Sequence, residues 1–134
     1  MSVEKSETLN IRSEQDVVTV RQAVKAWAVQ LGFSVVDQTK MVTAASELGR
    51  NTLVYGGGGQ AKLEIVHEGI RKGLRVRFED RGPGIADIEK AMQDGYTTGK
   101  GMGLGLSGAK RLVNNFDIAS QVGEGTTVTI TRWK

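Results

Sequence analysis

Residues 74–84 read Leu74-Arg75-Val76-Arg77-Phe78-Glu79-Asp80-Arg81-Gly82-Pro83-Gly84. Leu74, Val76 and Phe78 alternate with Arg75, Arg77 and Glu79, the two-residue period of a strand with one buried face. Counting on by two puts Asp80 on the apolar face, where a carboxylate needs a partner. Glycines at 82 and 84 follow at once and let the backbone approach a ligand closely. Two readings stay open for Asp80: it accepts a hydrogen bond from an exocyclic amine of a ligand base, or it caps the turn that follows.

Working upstream, Ala61, Leu63 and Ile65 alternate as a second strand, and Glu68–Gly73 reads as a polar turn between the two. Val17, Val20, Val24, Trp27, Ala28 and Leu31 recur at three- and four-residue steps, the stripe of an amphipathic helix ended by Gly32. Ser34 followed by Asp37 is an N-cap signature. The helix it opens has the stripe Met41, Ala44, Ala45, Leu48 and Thr52 and stops before Gly56-Gly57-Gly58-Gly59. Thr8–Arg12 alternates weakly as a first strand. Downstream, Ala86–Met92 reads as a short helix and Asp94–Gly105 as a glycine-rich loop. Leu106, Ala109, Leu112, Val113 and Phe116 fit a helix beginning just after those glycines. Asp117–Val122 and Thr126–Trp133 fit a hairpin around Gly123-Glu124-Gly125. The order βααββ(α)αββ implies an α+β fold, a two-layer sandwich with a mixed, mainly antiparallel sheet and helices on one face. Without a repeat or a linker, residues 1–134 are expected to form a single domain.

Composition excludes several functions. The chain has 134 residues, 39% hydrophobic and 25% charged, as in ordinary globular proteins. It has no cysteine, which removes disulfides, thiol nucleophiles and cysteine-based zinc sites. His67 is the only histidine, so neither a multi-histidine metal centre nor a Ser-His-Asp triad is expected. The net charge is only +3, and no aromatic residue interleaves with a basic run, so no nucleic-acid partner is expected. No apolar run approaches the ~20 residues of a membrane helix, and the N-terminus has no apolar signal core. A cytoplasmic chain with no membrane partner is expected. Glycine, with 18 residues, is the unusual count, and it clusters at 56–59, 82–84 and 99–108.

Two further groups carry chemistry. Glu47 and Asn51 are four residues apart and share one helix face, on the shoulder of the stripe centred on Leu48. A carboxylate there can act as a general base and an amide oxygen can ligate a hard cation; the plainer reading is a solvated pair near a helix end. The run Gly99-Lys100-Gly101-Met102-Gly103-Leu104-Gly105-Leu106 places alternate glycines before an amphipathic helix. Such a backbone can wrap a phosphate chain, with the helix N-terminus turned toward the anion and Lys100 adding a mobile charge. A flexible linker is the alternative. The spacing is neither that of a P-loop nor that of a dinucleotide fingerprint.

Taken together, Glu47-Leu48-Gly49-Arg50-Asn51, Glu79-Asp80-Arg81-Gly82-Pro83-Gly84-Ile85 and Gly103-Leu104-Gly105-Leu106, in this order, resemble the asparagine box and two glycine boxes of the GHKL ATP-binding family. The resemblance implies a GHKL-type two-layer fold that binds ATP with Mg²⁺. It implies that Asn51 ligates the Mg²⁺ and that Glu47 activates the nucleophile. It implies that Asp80, with Gly82, Gly84 and Ile85, holds the adenine. Residues 94–105 would be the ATP lid, with Thr98, Lys100, Gly101, Met102, Gly103, Leu104, Gly105 and Leu106 at the phosphates.

Within the family, the chain is similar to the small bacterial serine/threonine kinases of the anti-sigma regulatory group, and most to the stressosome switch kinases. Leu31-Gly32-Phe33, Val36-Asp37-Gln38, Ser46–Asn51, Glu79–Ile85 and Gly123-Glu124-Gly125-Thr126 carry that likeness. It implies a kinase acting on STAS-domain proteins (RsbS- or RsbR-like) that also binds a PP2C-type phosphatase (RsbU-like). The alternatives are an anti-sigma kinase that sequesters a sigma factor and a non-catalytic, nucleotide-gated adaptor.

Overall fold

The computed structural model describes residues 1–92 and 102–134, the side chains of 102–104 excepted. The elements are β1 (Ser2–Ile11), α1 (Glu14–Gln30), α2 (Val35–Val54), β2 (Gly59–Glu68), β3 (Arg71–Asp80), α3 (Ile88–Ala91), α4 (Met102–Arg111), β4 (Asn115–Gln121) and β5 (Gly125–Trp133). Their order is the expected one. The strands form one sheet in the order β1-β2-β3-β5-β4. All four pairings are antiparallel, so the sheet is not mixed.

Local chemistry sets the helix ends. Ser13 and Ser34 cap α1 and α2, their hydroxyls accepting from the N–H groups of Asp16 and Asp37. α1 closes with Gly32 at φ +82°, while Gly32 N–H donates to Val29 O and Phe33 N–H to Ala28 O. This paired closure needs a left-handed residue, which glycine supplies without a Cβ clash. Asp37 then ties the start of α2 to β5, since Arg132 Nη2 donates to Asp37 Oδ1 at 2.6 Å.

Both helical stripes are buried. Val20, Val24, Trp27 and Ala28 of α1, and Met41, Ala44, Ala45, Leu48 and Thr52 of α2, pack on one face of the sheet. The sheet contributes Ala61, Leu63, Ile65, Leu74, Val76, Phe78, Val128 and Ile130 to the same core. The other face is charged: Arg75 Nε donates to Glu64 Oε1 at 2.9 Å, and the Arg71 guanidinium stacks on Trp133. His67 lies in β2 with Nε2 2.5 Å from Glu4 Oε1, bonded to the edge strand. Among the described residues no helix is long and apolar enough to cross a membrane.

Four elements have boundaries that differ from expectation. β1 begins at Ser2 rather than Thr8, because the register carries its pairing with β2 out to His67 although most of its side chains are exposed. The turn after β2 is only Gly69-Ile70; Arg71–Gly73 is already strand, paired with Val66–Glu68. α3 is shorter than Ala86–Met92, starting behind an Asp87 cap. α4 starts at Met102, so Gly103 and Gly105 are helical rather than loop, and it ends at Arg111, with Phe116 in β4.

Candidate functional site

A cavity of about 250 Å³ lies between α2, the loop after β3, α4 and β5. Leu48, Phe78, Leu106 and Val128 give it apolar walls, and Asn51, Thr52, Asp80 and Thr126 supply its polar groups. Tyr55, Gly56, Pro83, Gly84 and Ile85 complete the lining. An apolar slot with few polar groups is the usual form of a small-molecule site.

Asp80 ends β3 on the core-facing side, as its spacing from Phe78 predicts. It is half-buried, and its Oδ1 accepts from Gly82 N–H at 2.9 Å. The backbone N–H of Thr126, its cross-strand partner on β5, also donates to it. Burial pushes the carboxyl above its ordinary value, and these two N–H groups pull back against that. Asp80 therefore caps its own turn and also lines the cavity.

The loop 81–85 is docked on the β4–β5 hairpin. Gly123 N–H donates to Pro83 O at 2.8 Å, and Ile85 N–H donates to Ser120 Oγ at 2.8 Å. Gly84 sits at φ +76°, and a Cβ there would lie 2.2 Å from Gln121 O. Only glycine fits that close approach.

Glu47 and Asn51 share a face of α2, one turn apart. Glu47 is exposed and stands outside the cavity lining, whereas Asn51 is half-buried and lines it. Both face Gly105 of α4: a Cβ there would lie 3.0 Å from Asn51 Nδ2 and 3.4 Å from Glu47 Oε2. The Asn51 side-chain nitrogen is buried and has no hydrogen-bond partner among the described residues. A buried amide N–H without an acceptor is costly, and phosphate oxygens would satisfy it.

No group of three or more His, Cys, Asp or Glu that could hold a metal occurs among the described residues. Mg²⁺ at this site would draw most of its ligands from phosphate oxygens and water, which is its preferred mode in phosphoryl-transfer sites. The Asn51 side chain, with one oxygen donor beside the cavity, fits that arrangement.

The structure thus gathers Asn51, Asp80, Gly84, Ile85 and Leu106 around one cavity, with Gly82 behind Asp80 and Glu47 and Gly105 beside Asn51. Met102, Gly103 and Leu104 form the first turn of α4. Thr98, Lys100 and Gly101 lie outside the described residues. Sequence reasoning left out Tyr55, Gly56, Thr126 and Ser120 as site residues. Thr126 carried a signal, since it follows Gly123-Glu124-Gly125; Ser120 carried none.

Known proteins similar to this chain identify its family and its fold. Residues 36–134 match the family described as histidine kinase-, DNA gyrase B-, and HSP90-like ATPase. The chain is 46% identical over 125 residues to the serine/threonine-protein kinase RsbT of Bacillus subtilis (strain 168), covering 93% of this chain and 94% of that one. It is 31% identical over 132 residues to an anti-sigma F factor of Thermoanaerobacter sp. (strain X514), covering 93% and 91%. The crystal structure of the RsbU and RsbW domains of Rv1364c from Mycobacterium tuberculosis superposes with a TM-score of 0.66 at 22% identity. That match covers 98% of this chain but only 33% of the longer one, and it speaks to the fold alone. With the motifs, the cavity and the family match in agreement, the chain belongs to the histidine kinase-, DNA gyrase B- and HSP90-like ATPase family.

Proposed function

We propose that residues 1–134 work as a single cytoplasmic kinase domain that transfers the γ-phosphate of ATP to a serine or threonine of a STAS-domain protein. The observation that carries this is the convergence of Glu47, Asn51 and Gly105 beside a cavity that holds Asp80. A binding module needs Asn51 and Asp80 but has no use for an exposed carboxylate next to the phosphate position. The RsbT relative, named a serine/threonine-protein kinase, supports the same reading.

In this reading Asp80 accepts from the adenine amine, while Gly82, Gly84 and Ile85 hold the loop against the base. Asn51 would hold the metal through its side-chain oxygen, and its side-chain nitrogen would donate to a phosphate oxygen. Mg²⁺, when bound, neutralises charge on the phosphates. Backbone N–H groups from Gly101 to Leu106, with Thr98 and Lys100, hold the triphosphate at the N-terminus of α4. Glu47 takes the proton of the partner hydroxyl as its oxygen bonds to the γ-phosphorus. The bond to the β,γ-bridging oxygen breaks and ADP leaves. A PP2C-type phosphatase is the second partner in this reading. A sigma factor takes that place in a second reading, favoured by the likeness to the anti-sigma F factor.

The test is ADP formation over time with Mg-ATP, with and without a STAS-domain protein from the same cell. Turnover that rises stoichiometrically with added partner supports the kinase. Tight ATP binding with no partner-dependent ADP would contradict it and favour the nucleotide-gated adaptor.

Asp80 also makes nucleotide affinity depend on pH. Its carboxyl is raised above the ordinary 3.8, and adenine needs the ionised form as acceptor. Binding therefore favours the charged state, and affinity is lost as pH falls through the raised value. Asp80→Asn has no such titration. The ratio of wild-type to Asp80→Asn affinity for Mg-ATP, measured by calorimetry, is expected to narrow as pH falls from neutral through the raised carboxyl value. Titration of the ATP phosphates cancels in that ratio, and a ratio that stays constant would contradict the role of Asp80.

A further inference from the structure

We propose that Ser120 is a positioning residue that sets which way the Thr126 hydroxyl points, and that through Thr126 it makes the pocket prefer a base carrying an amine. The proposal rests on the ATP reading above. Ser120 lies on β4, behind the cavity lining, and its one hydroxyl meets three groups. It is 2.8 Å from Ile85 N, 3.1 Å from Gly125 O and 2.8 Å from Thr126 Oγ1.

A serine hydroxyl has one proton to donate and two lone pairs to accept with. Ile85 N–H can only donate, and Gly125 O can only accept. Ser120 therefore spends its proton on Gly125 O and accepts from Ile85. The remaining contact closes only if Thr126 O–H donates to Ser120. The Thr126 proton is then turned away from the cavity, and its oxygen offers lone pairs alone.

Thr126 lines the cavity beside Asp80, and its backbone N–H donates to the Asp80 carboxyl. Carboxylate and hydroxyl thus both present acceptors on the same side of the site. A 6-amino purine, which brings two N–H donors, satisfies them. A 6-oxo purine sets a third acceptor, its O6, against them and has only N1–H to donate on that edge. Leaving a polar group unpaired discriminates more strongly than a difference in apolar contact. By the same hydroxyl, Ser120 also holds Ile85, so the loop wall and the polarity of the pocket are set together.

The experiment compares the affinities of the full chain for Mg-ATP and Mg-ITP by calorimetry, in wild type, Ser120→Ala, Thr126→Val and the double variant. Ser120→Ala frees the Thr126 proton to turn into the cavity and donate to a 6-oxo group. The ATP:ITP affinity ratio is expected to fall by about tenfold, with ITP affinity reduced less than ATP affinity. Thr126→Val is expected to lower the ratio comparably, and the double variant no further, because both act through one hydroxyl. A purely structural role would lower both affinities by the same factor. Equal loss for both nucleotides, or an unchanged ratio, in a chain whose wild type prefers ATP would overturn the role of Ser120 and leave the ATP reading standing. A wild type that binds neither nucleotide would overturn both.

Discussion

Glu47→Gln is expected to slow phosphoryl transfer to the partner by about 10²–10⁴-fold while Mg-ATP affinity stays within about threefold of wild type. The separation follows from where Glu47 stands. It is exposed on α2, one turn from Asn51, and is not among the residues that line the cavity. Glutamine keeps its shape next to Gly105, where a Cβ would lie 3.4 Å from Glu47 Oε2. The change removes the proton acceptor and little else. Single-turnover transfer measures the chemical step, and equilibrium titration measures binding. A variant that loses affinity but transfers at the wild-type rate once saturated would assign Glu47 to binding instead.

Asn51→Ala is expected to produce the opposite split, weakening Mg-ATP binding by about 10²-fold and removing most of its Mg²⁺ dependence. The same substitution should leave the empty fold as stable as wild type, or more so. The Asn51 nitrogen is buried without a partner among the described residues, so in the absence of ligand its amide is a cost to folding. A residue that burdens the fold and is needed by the ligand is the expected signature of a functional site. Thermal unfolding with and without Mg-ATP reads both effects at once. Asn51→Ala should unfold no earlier than wild type alone and gain much less from nucleotide. An early-melting variant with normal nucleotide stabilisation would make Asn51 a structural residue.

The parts of the fold legible in the sequence were those set by local chemistry. The stripe from Met41 to Thr52 is buried as its spacing predicts, and Ser34 caps that helix through Asp37 N–H. Asp80 falls on the core side because strand phase carries over from Phe78. What stayed hidden depends on partners distant in sequence. Residues 2–7 have little apolar signal and are strand because β2 supplies hydrogen bonds. The placement of β5 between β3 and β4 is not written in any periodicity, yet it brings Thr126 opposite Asp80. Gly103 and Gly105 read as loop because glycine is a poor helix former. In the fold, Gly105 is helical where a larger residue would crowd Asn51 and Glu47. Ser120 looks like any strand serine until the hairpin and the loop 81–85 converge on its hydroxyl.

In this mechanism the cavity places ATP for transfer, with Glu47 as the base. The most direct measurement incubates the chain and its Glu47→Gln variant with γ-labelled Mg-ATP and the STAS-domain proteins of the same cell, then locates the label. Label is expected on a serine or threonine of a STAS protein with the wild-type chain and almost none with the variant. Equal labelling by both chains, or tight Mg-ATP binding with no label on any STAS protein, would contradict it.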